Sequence, residues 1–105
     1  MDQNKIQEMQ ILEQNIQNLL LQKQAFDMEL SETKAALGEI ENAKDDIFKI
    51  IGQLMIKADK NKVKEELLNK EKILSLRLNT IEKQETSLMG KLTSLREEVM
   101  KKSKK

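Results

Sequence analysis

Apolar residues recur along this chain at alternating spacings of three and four, in two separate stretches. The first reads Met9, Leu12, Ile16, Leu19, Lys23, Phe26, Leu30, Thr33, Leu37 and Ile40, apolar at eight of ten positions. The second reads Leu67, Glu71, Leu74, Leu78, Ile81, Glu85, Leu88, Leu92, Leu95 and Val99, again apolar at eight of ten. A mean period of 3.5 residues is that of a coiled-coil seam, in which under-wound helices keep one stripe facing a partner. None of the 105 residues is Pro, so neither stretch meets the residue that removes a helical N–H and clashes with the preceding turn. Two long helices are expected, over 2–42 and 59–101, each extending about 60 Å. Asp2 and Asp59 are the expected N-caps, since a carboxylate there accepts orphan backbone N–H groups. Gly38 should weaken the first helix by about 1 kcal/mol relative to Ala.

Between the helices, residues 43–58 follow a different pattern. Ile47, Phe48, Ile50, Ile51, Leu54, Met55 and Ile56 crowd around Gly52-Gln53. Two strands of about five residues joined by a Gly-X turn predict a β-hairpin. A helix also fits a short apolar run, but the chain must reverse direction here if the two seams are to meet. Folding it back so that opposed residue numbers sum to 104 brings the seams into register throughout: Leu37 faces Leu67, Leu30 faces Leu74, Phe26 faces Leu78, Ile16 faces Leu88 and Leu12 faces Leu92. The fold class is therefore mainly α, a long antiparallel two-helix coiled coil joined by a single β-hairpin. Lys23 falls opposite Ile81 with Glu85 one turn away. A Lys23–Glu85 pair would lock the register; the alternative is two long side chains reaching out to water.

A two-stranded hairpin is marginal in water. This one carries apolar groups on both faces, and unpaired strand edges recruit other strands. Oligomerisation through Ile47, Phe48, Ile50, Ile51, Gly52, Leu54, Met55 and Ile56 into a shared sheet or barrel is expected, against the alternative of a hairpin folded onto its own helix ends.

Composition narrows the function. The chain has no Cys and no His, which removes thiolate nucleophiles, zinc–thiolate sites and the usual general base. Its three glycines, Gly38, Gly52 and Gly90, are too scattered for a phosphate-cradling loop. No enzyme activity, cofactor or metal site is expected. The one adjacent acidic pair near a turn, Asp45-Asp46, reads as solvated turn. Net charge is +1, and four of the lysines sit in the last five residues, leaving 15 positive against 18 negative charges before them. Nucleic-acid binding needs a basic face, which this body lacks. Met1-Asp2-Gln3-Asn4 does not read as a signal peptide, and the apolar runs are too short to span a membrane. A cytoplasmic location is expected.

Ile47-Phe48-Lys49-Ile50-Ile51-Gly52-Gln53-Leu54-Met55-Ile56-Lys57, followed by Asp59-Lys60 and the helix start at Val63 and Leu67, resembles the β-type subunits of the prefoldin family. So do the Gln-rich first helix and Ala36-Leu37-Gly38-Glu39-Ile40-Glu41, although Gly38 stands where a stronger helix former is usual. The resemblance spans nearly the whole chain, as one domain with a Lys-rich tail at 102–105. It implies a hexamer of two α-type and four β-type subunits, whose hairpins build a β-barrel platform carrying six coiled coils. It further implies a holdase that uses no nucleotide, captures unfolded client polypeptides at its tips and delivers them to a group II chaperonin.

On that resemblance, the client-binding tip is formed by the start of the first helix and the end of the second: Ile6, Met9, Ile11, Leu12, Leu92, Leu95, Val99 and Met100. Five of these are seam residues, so they also hold the helices together; they would reach a client where the helix ends fray. Lys101, Lys102, Lys104 and Lys105 offer a contact to an acidic chaperonin surface, or simply a solvated end. The competing function is a structural coiled-coil scaffold or tether, which would need a loop but not an apolar hairpin.

Overall fold

The computed structural model describes residues 3–103, with side chains through Lys101. Element order is α1 (Gln3–Asn42), β1 (Ile47–Ile51), β2 (Leu54–Ala58) and α2 (Lys60–Ser103). The expected N-cap at Asp2 lies outside the described residues.

Local chemistry sets the ends of these elements. At the start of α2, Asp59 Oδ1 accepts the Asn61 N–H at 2.9 Å, and the Asp59 carbonyl accepts the Val63 N–H at 3.0 Å. That is the capping geometry expected for Asp59. At the end of α1 the Ala43 N–H donates to the Ile40 carbonyl at 3.2 Å, tightening the last turn. The Lys60 ammonium then donates to the Ala43 carbonyl at 3.0 Å, so each helix terminus supplies a partner for an otherwise orphaned group. Gly38 does not interrupt α1.

The strands pair antiparallel, with Ile47 opposite Ala58 and Ile51 opposite Leu54. Gly52 has φ +61°, and among the described residues no non-Gly residue has positive φ. A left-handed first turn residue followed by a right-handed second one is the pattern of a type II′ turn, whose twist matches that of the flanking strands. The placement of Gly at the first central position is what permits it.

Among the described residues the chain forms two compact units. A hairpin unit spans Phe26–Arg77, and a terminal unit combines the chain up to Ala25 with the chain from Leu78. Within each, the helices run antiparallel and pack through the seams. In the hairpin unit Thr33, Leu37, Ile40 and Leu74 are buried; in the terminal unit Ile16, Leu78, Ile81 and Leu92 are buried. Every other seam residue is half-buried, while Leu20, Leu21, Met28, Leu68, Ile73, Leu76 and Met89, all off the seam, are exposed. Thr33 is a polar residue in an apolar layer, and its hydroxyl donates to the Glu29 carbonyl at 2.7 Å, so no donor is left unsatisfied. Arg77 lies over the Phe26 ring at 5.7 Å from its centroid, a cation–π arrangement.

Ion pairs report the register. Lys5–Glu98, Lys23–Glu82 and Lys64–Glu41 join the helices at 2.8, 3.9 and 3.4 Å, with residue numbers that add to within one of 104, whereas Lys70–Glu29 and Arg96–Glu13 reach diagonally, adding to 99 and 109. Of the two readings for Lys23 and Glu85, the cross-seam pair does not form, and Lys23 takes the other, reaching toward water. Lys23 reaches Glu82, directly across and exposed, where its head group stays in water. Glu85 Oε2 is buried with no hydrogen-bond partner. Reaching Glu85 would have required the lysine to lie along the apolar seam for a full turn.

Candidate functional site: two apolar surfaces

Apolar residues assigned to contact fall on two surfaces, the hairpin and the terminal unit. The first is the hairpin. Strand alternation puts Phe48, Ile50, Met55 and Lys57 on one face and Ile47, Lys49, Ile51, Leu54, Ile56 and Ala58 on the other. Ile47, Lys49 and Ala58 are half-buried, so the hairpin base leans on its own unit. All six of the remaining apolar residues are exposed, up to 74% at Ile50. A hollow of about 690 Å³ beside the hairpin is lined by Ala36, Ile40, Ile47, Phe48, Val63 and Leu67, among others. The strand face that the helices leave bare is continuous with it through Phe48. Lys49 is tethered to Glu66 at 2.6 Å and Lys57 to Asp46 at 3.3 Å, which turns the charged side chains toward their own unit. The folded-down alternative thus holds for the hairpin base alone.

The second surface belongs to the terminal unit. Ile11 and Met100 are exposed; Ile6, Met9, Leu12, Leu95 and Val99 are half-buried. Leu92 is 3% exposed and serves as core between the helices. Ile11, Leu12 and Leu95 come together in an open groove of about 700 Å³, completed by Glu8, Gly90, Lys91 and Ser94. Ile6, Met9, Val99 and Met100 lie outside this groove. Ion pairs Lys5–Glu98 at 2.8 Å and Arg96–Glu13 at 3.3 Å hold the two helices together nearby. Arg96–Glu13 is exposed at both ends and Lys5–Glu98 at its carboxylate, and pairs open to solvent contribute about 0–1 kcal/mol.

Gly90 was not singled out by periodicity, yet it makes the groove. Its backbone is helical, and a Cβ there would meet nothing within 4 Å. An exposed helix-interior Gly costs about 1 kcal/mol relative to Ala, and no turn or close approach at Gly90 requires it. That unexplained cost was the available signal.

Of the tail lysines, Lys101 is exposed; the side chain of Lys102, and Lys104 and Lys105 entirely, lie outside the described residues. Among the described residues there is no group of three or more acidic side chains placed to hold a metal ion, and no helix is long and apolar enough to cross a membrane.

Known proteins share this arrangement. A family model described as "Prefoldin subunit" matches residues 3–105. Prefoldin subunit beta of Thermococcus onnurineus is 42% identical over 89 residues, covering 83% of this chain and 77% of that one. Prefoldin subunit beta of Methanosarcina acetivorans is 35% identical over 99 residues, covering 92% and 85%. The crystal structure of the prefoldin beta subunit from Thermococcus strain KS-1 superposes with a TM-score of 0.86 at 35% identity, covering 94% of this chain and 89% of that one. The beta2 subunit from the same strain, at 17% identity and a TM-score of 0.73, shares the fold. With helix, hairpin and helix in the same order and the family match reaching from Gln3 to the last residue, this chain belongs to the prefoldin subunit family.

Proposed function

We propose that the chain is a β-type subunit of a cytoplasmic, ATP-independent holdase, assembling through its hairpin with α-type and other β-type subunits into a hexamer. The ends of its helices hold non-native polypeptides for transfer to a group II chaperonin. The observation that carries this reading is the pairing of two separate apolar surfaces on one chain. The bare hairpin suits permanent burial against other subunits, since unpaired strand edges and six exposed apolar side chains fit strand addition. The terminal unit's surface is smaller, open and rimmed by charge, which suits transient contact. Hydrophobic burial is non-directional, at about 25 cal/mol per Å², and Met9 and Met100 adapt to irregular partners. Several weak tips acting on one client gain avidity without tight individual contacts. A plain scaffold would need neither surface.

The test is suppression of aggregation of a chemically denatured client by the assembled protein. Ile6→Ser with Ile11→Ser and Met100→Ser should weaken suppression severalfold and leave the assembly's mass unchanged. Full suppression by that triple variant would remove these residues from the client-binding role.

A further inference from the structure

We propose that the Gly90 side of the terminal unit is a docking groove for an amphipathic α-helix of the client, reading apolar anchors spaced one heptad apart. This rests on the holdase reading and adds the conformation and patterning of what is held.

The groove is repeated. Beside the hollow of about 700 Å³ lies a second of about 430 Å³. Glu8, Ile11 and Leu12 on α1 are replaced there by Asn15, Asn18 and Leu19, each seven residues on. Lys91, Ser94 and Leu95 on α2 are replaced by Gln84, Ser87 and Leu88, each seven residues back. The two hollows are therefore heptad equivalents on one side of the same helix pair, about 10.5 Å apart along it. A helix presents residues i and i+7 on one face at that same spacing. An extended strand covers it in about three residues, which puts the second side chain on the opposite face. The spacing selects a helix. Gly90, Ser94 and Ser87 give α2 a low wall on this side, so a third helix can approach closely.

Charge sets the orientation. Lys5, Glu13, Arg96 and Glu98 are engaged in ion pairs, whereas Glu8 and Lys91 have no ion-pair partner among the described residues. They stand on opposite walls of the first hollow, negative on α1 and positive on α2. The corresponding walls of the second hollow, Asn15 and Gln84, are uncharged. A complementary helix carries a basic residue on the α1 flank and an acidic residue on the α2 flank of its first anchor, and neutral residues around its second.

Two labelled peptides of identical composition test this, one with leucines at i, i+3, i+4 and i+7 and one with strictly alternating leucines. Each is titrated against the assembled full chain by fluorescence anisotropy, alongside the aggregation assay. The helix-patterned peptide should bind at least about tenfold more tightly, the effect of burying one further large apolar side chain. Gly90→Gln projects into the first hollow and should weaken that peptide about tenfold while raising the helix's thermal stability. Exchanging the groove charges, Glu8→Lys with Lys91→Glu, should favour a peptide whose flanking charges are likewise exchanged. Equal binding of the two peptides, or no effect of Gly90→Gln, overturns the groove even if aggregation is suppressed normally. Failure of the wild-type assembly to suppress aggregation overturns the holdase reading and the client identity of the occupant with it.

Discussion

The buried, unpartnered oxygen of Glu85 makes a quantitative test of how the terminal unit is held together. Glu85 occupies a seam position and is half-buried, with Oε2 inaccessible and without a hydrogen-bond partner. Leaving a polar atom in that state costs about 1–3 kcal/mol. Replacing it by Leu removes the cost and buries part of an isobutyl group between Ile81 and Leu88, worth roughly half of the 1.5–3 kcal/mol of full burial. The side chains are similar in size, so little strain should offset the gain. Glu85→Leu should therefore stabilise the unit by about 2 kcal/mol. In urea unfolding followed by circular dichroism this is a rise in midpoint of roughly 1 M at an unchanged slope. Hydrogen exchange should slow in residues 3–25 and 78–101 more than in the hairpin unit, because local openings of the terminal unit become rarer. Glu85→Gln, which keeps the shape and a polar tip, should show little of this gain. An unchanged or lowered midpoint for Glu85→Leu would refute the claim that Glu85 is a weak layer in the seam. Client holding should fall in the stabilised variant if the seam itself opens to polypeptides, and should persist if the Gly90 groove suffices.

Gly52 has φ +61°, so Gly52→Val should cost about 1–2 kcal/mol through strain in the left-handed region. It should shift assembled protein toward smaller species in light scattering while leaving the helical signal nearly unchanged. Asp59→Ala removes the acceptor for the Asn61 N–H at 2.9 Å; a loss of about 1 kcal/mol is expected, read as a lower urea midpoint, with Asp59→Asn close to wild type.

Much of the fold was legible because it is written in local periodicity. All twenty residues assigned to the two seams are buried or half-buried, including the polar Lys23, Thr33, Glu71 and Glu85. A 3.5-residue repeat defines one stripe of a helix whatever lies opposite. The hairpin was equally legible, since Gly52 supplies a φ that few other residues tolerate. Side-chain partners across the helices were not. Lys23 chooses Glu82 over Glu85 at 3.9 Å because solvent access, which periodicity does not encode, decides where an ammonium rests. Depth near the helix ends is not encoded either: of the five seam residues at the tip, Leu92 alone is buried while Met9, Leu12, Leu95 and Val99 are half-buried. Gly90 escaped notice for a related reason: a groove is made by atoms that are missing, on one side of a helix pair, and only the pairing of both helices reveals which side.

The bare hairpin also bears on mass action. A sheet of two strands leaves an unpaired row of backbone groups along each outer edge, and a hairpin in that state gains little stability from its own chain. In the proposed assembly the partners that cover it would supply much of its folding free energy, and such a contribution grows with the logarithm of partner concentration. On the proposed assembly, dilution would loosen the hairpin before the terminal unit. Synthesis of this chain in excess over its partners would leave a population displaying the very kind of surface a holdase exists to cover.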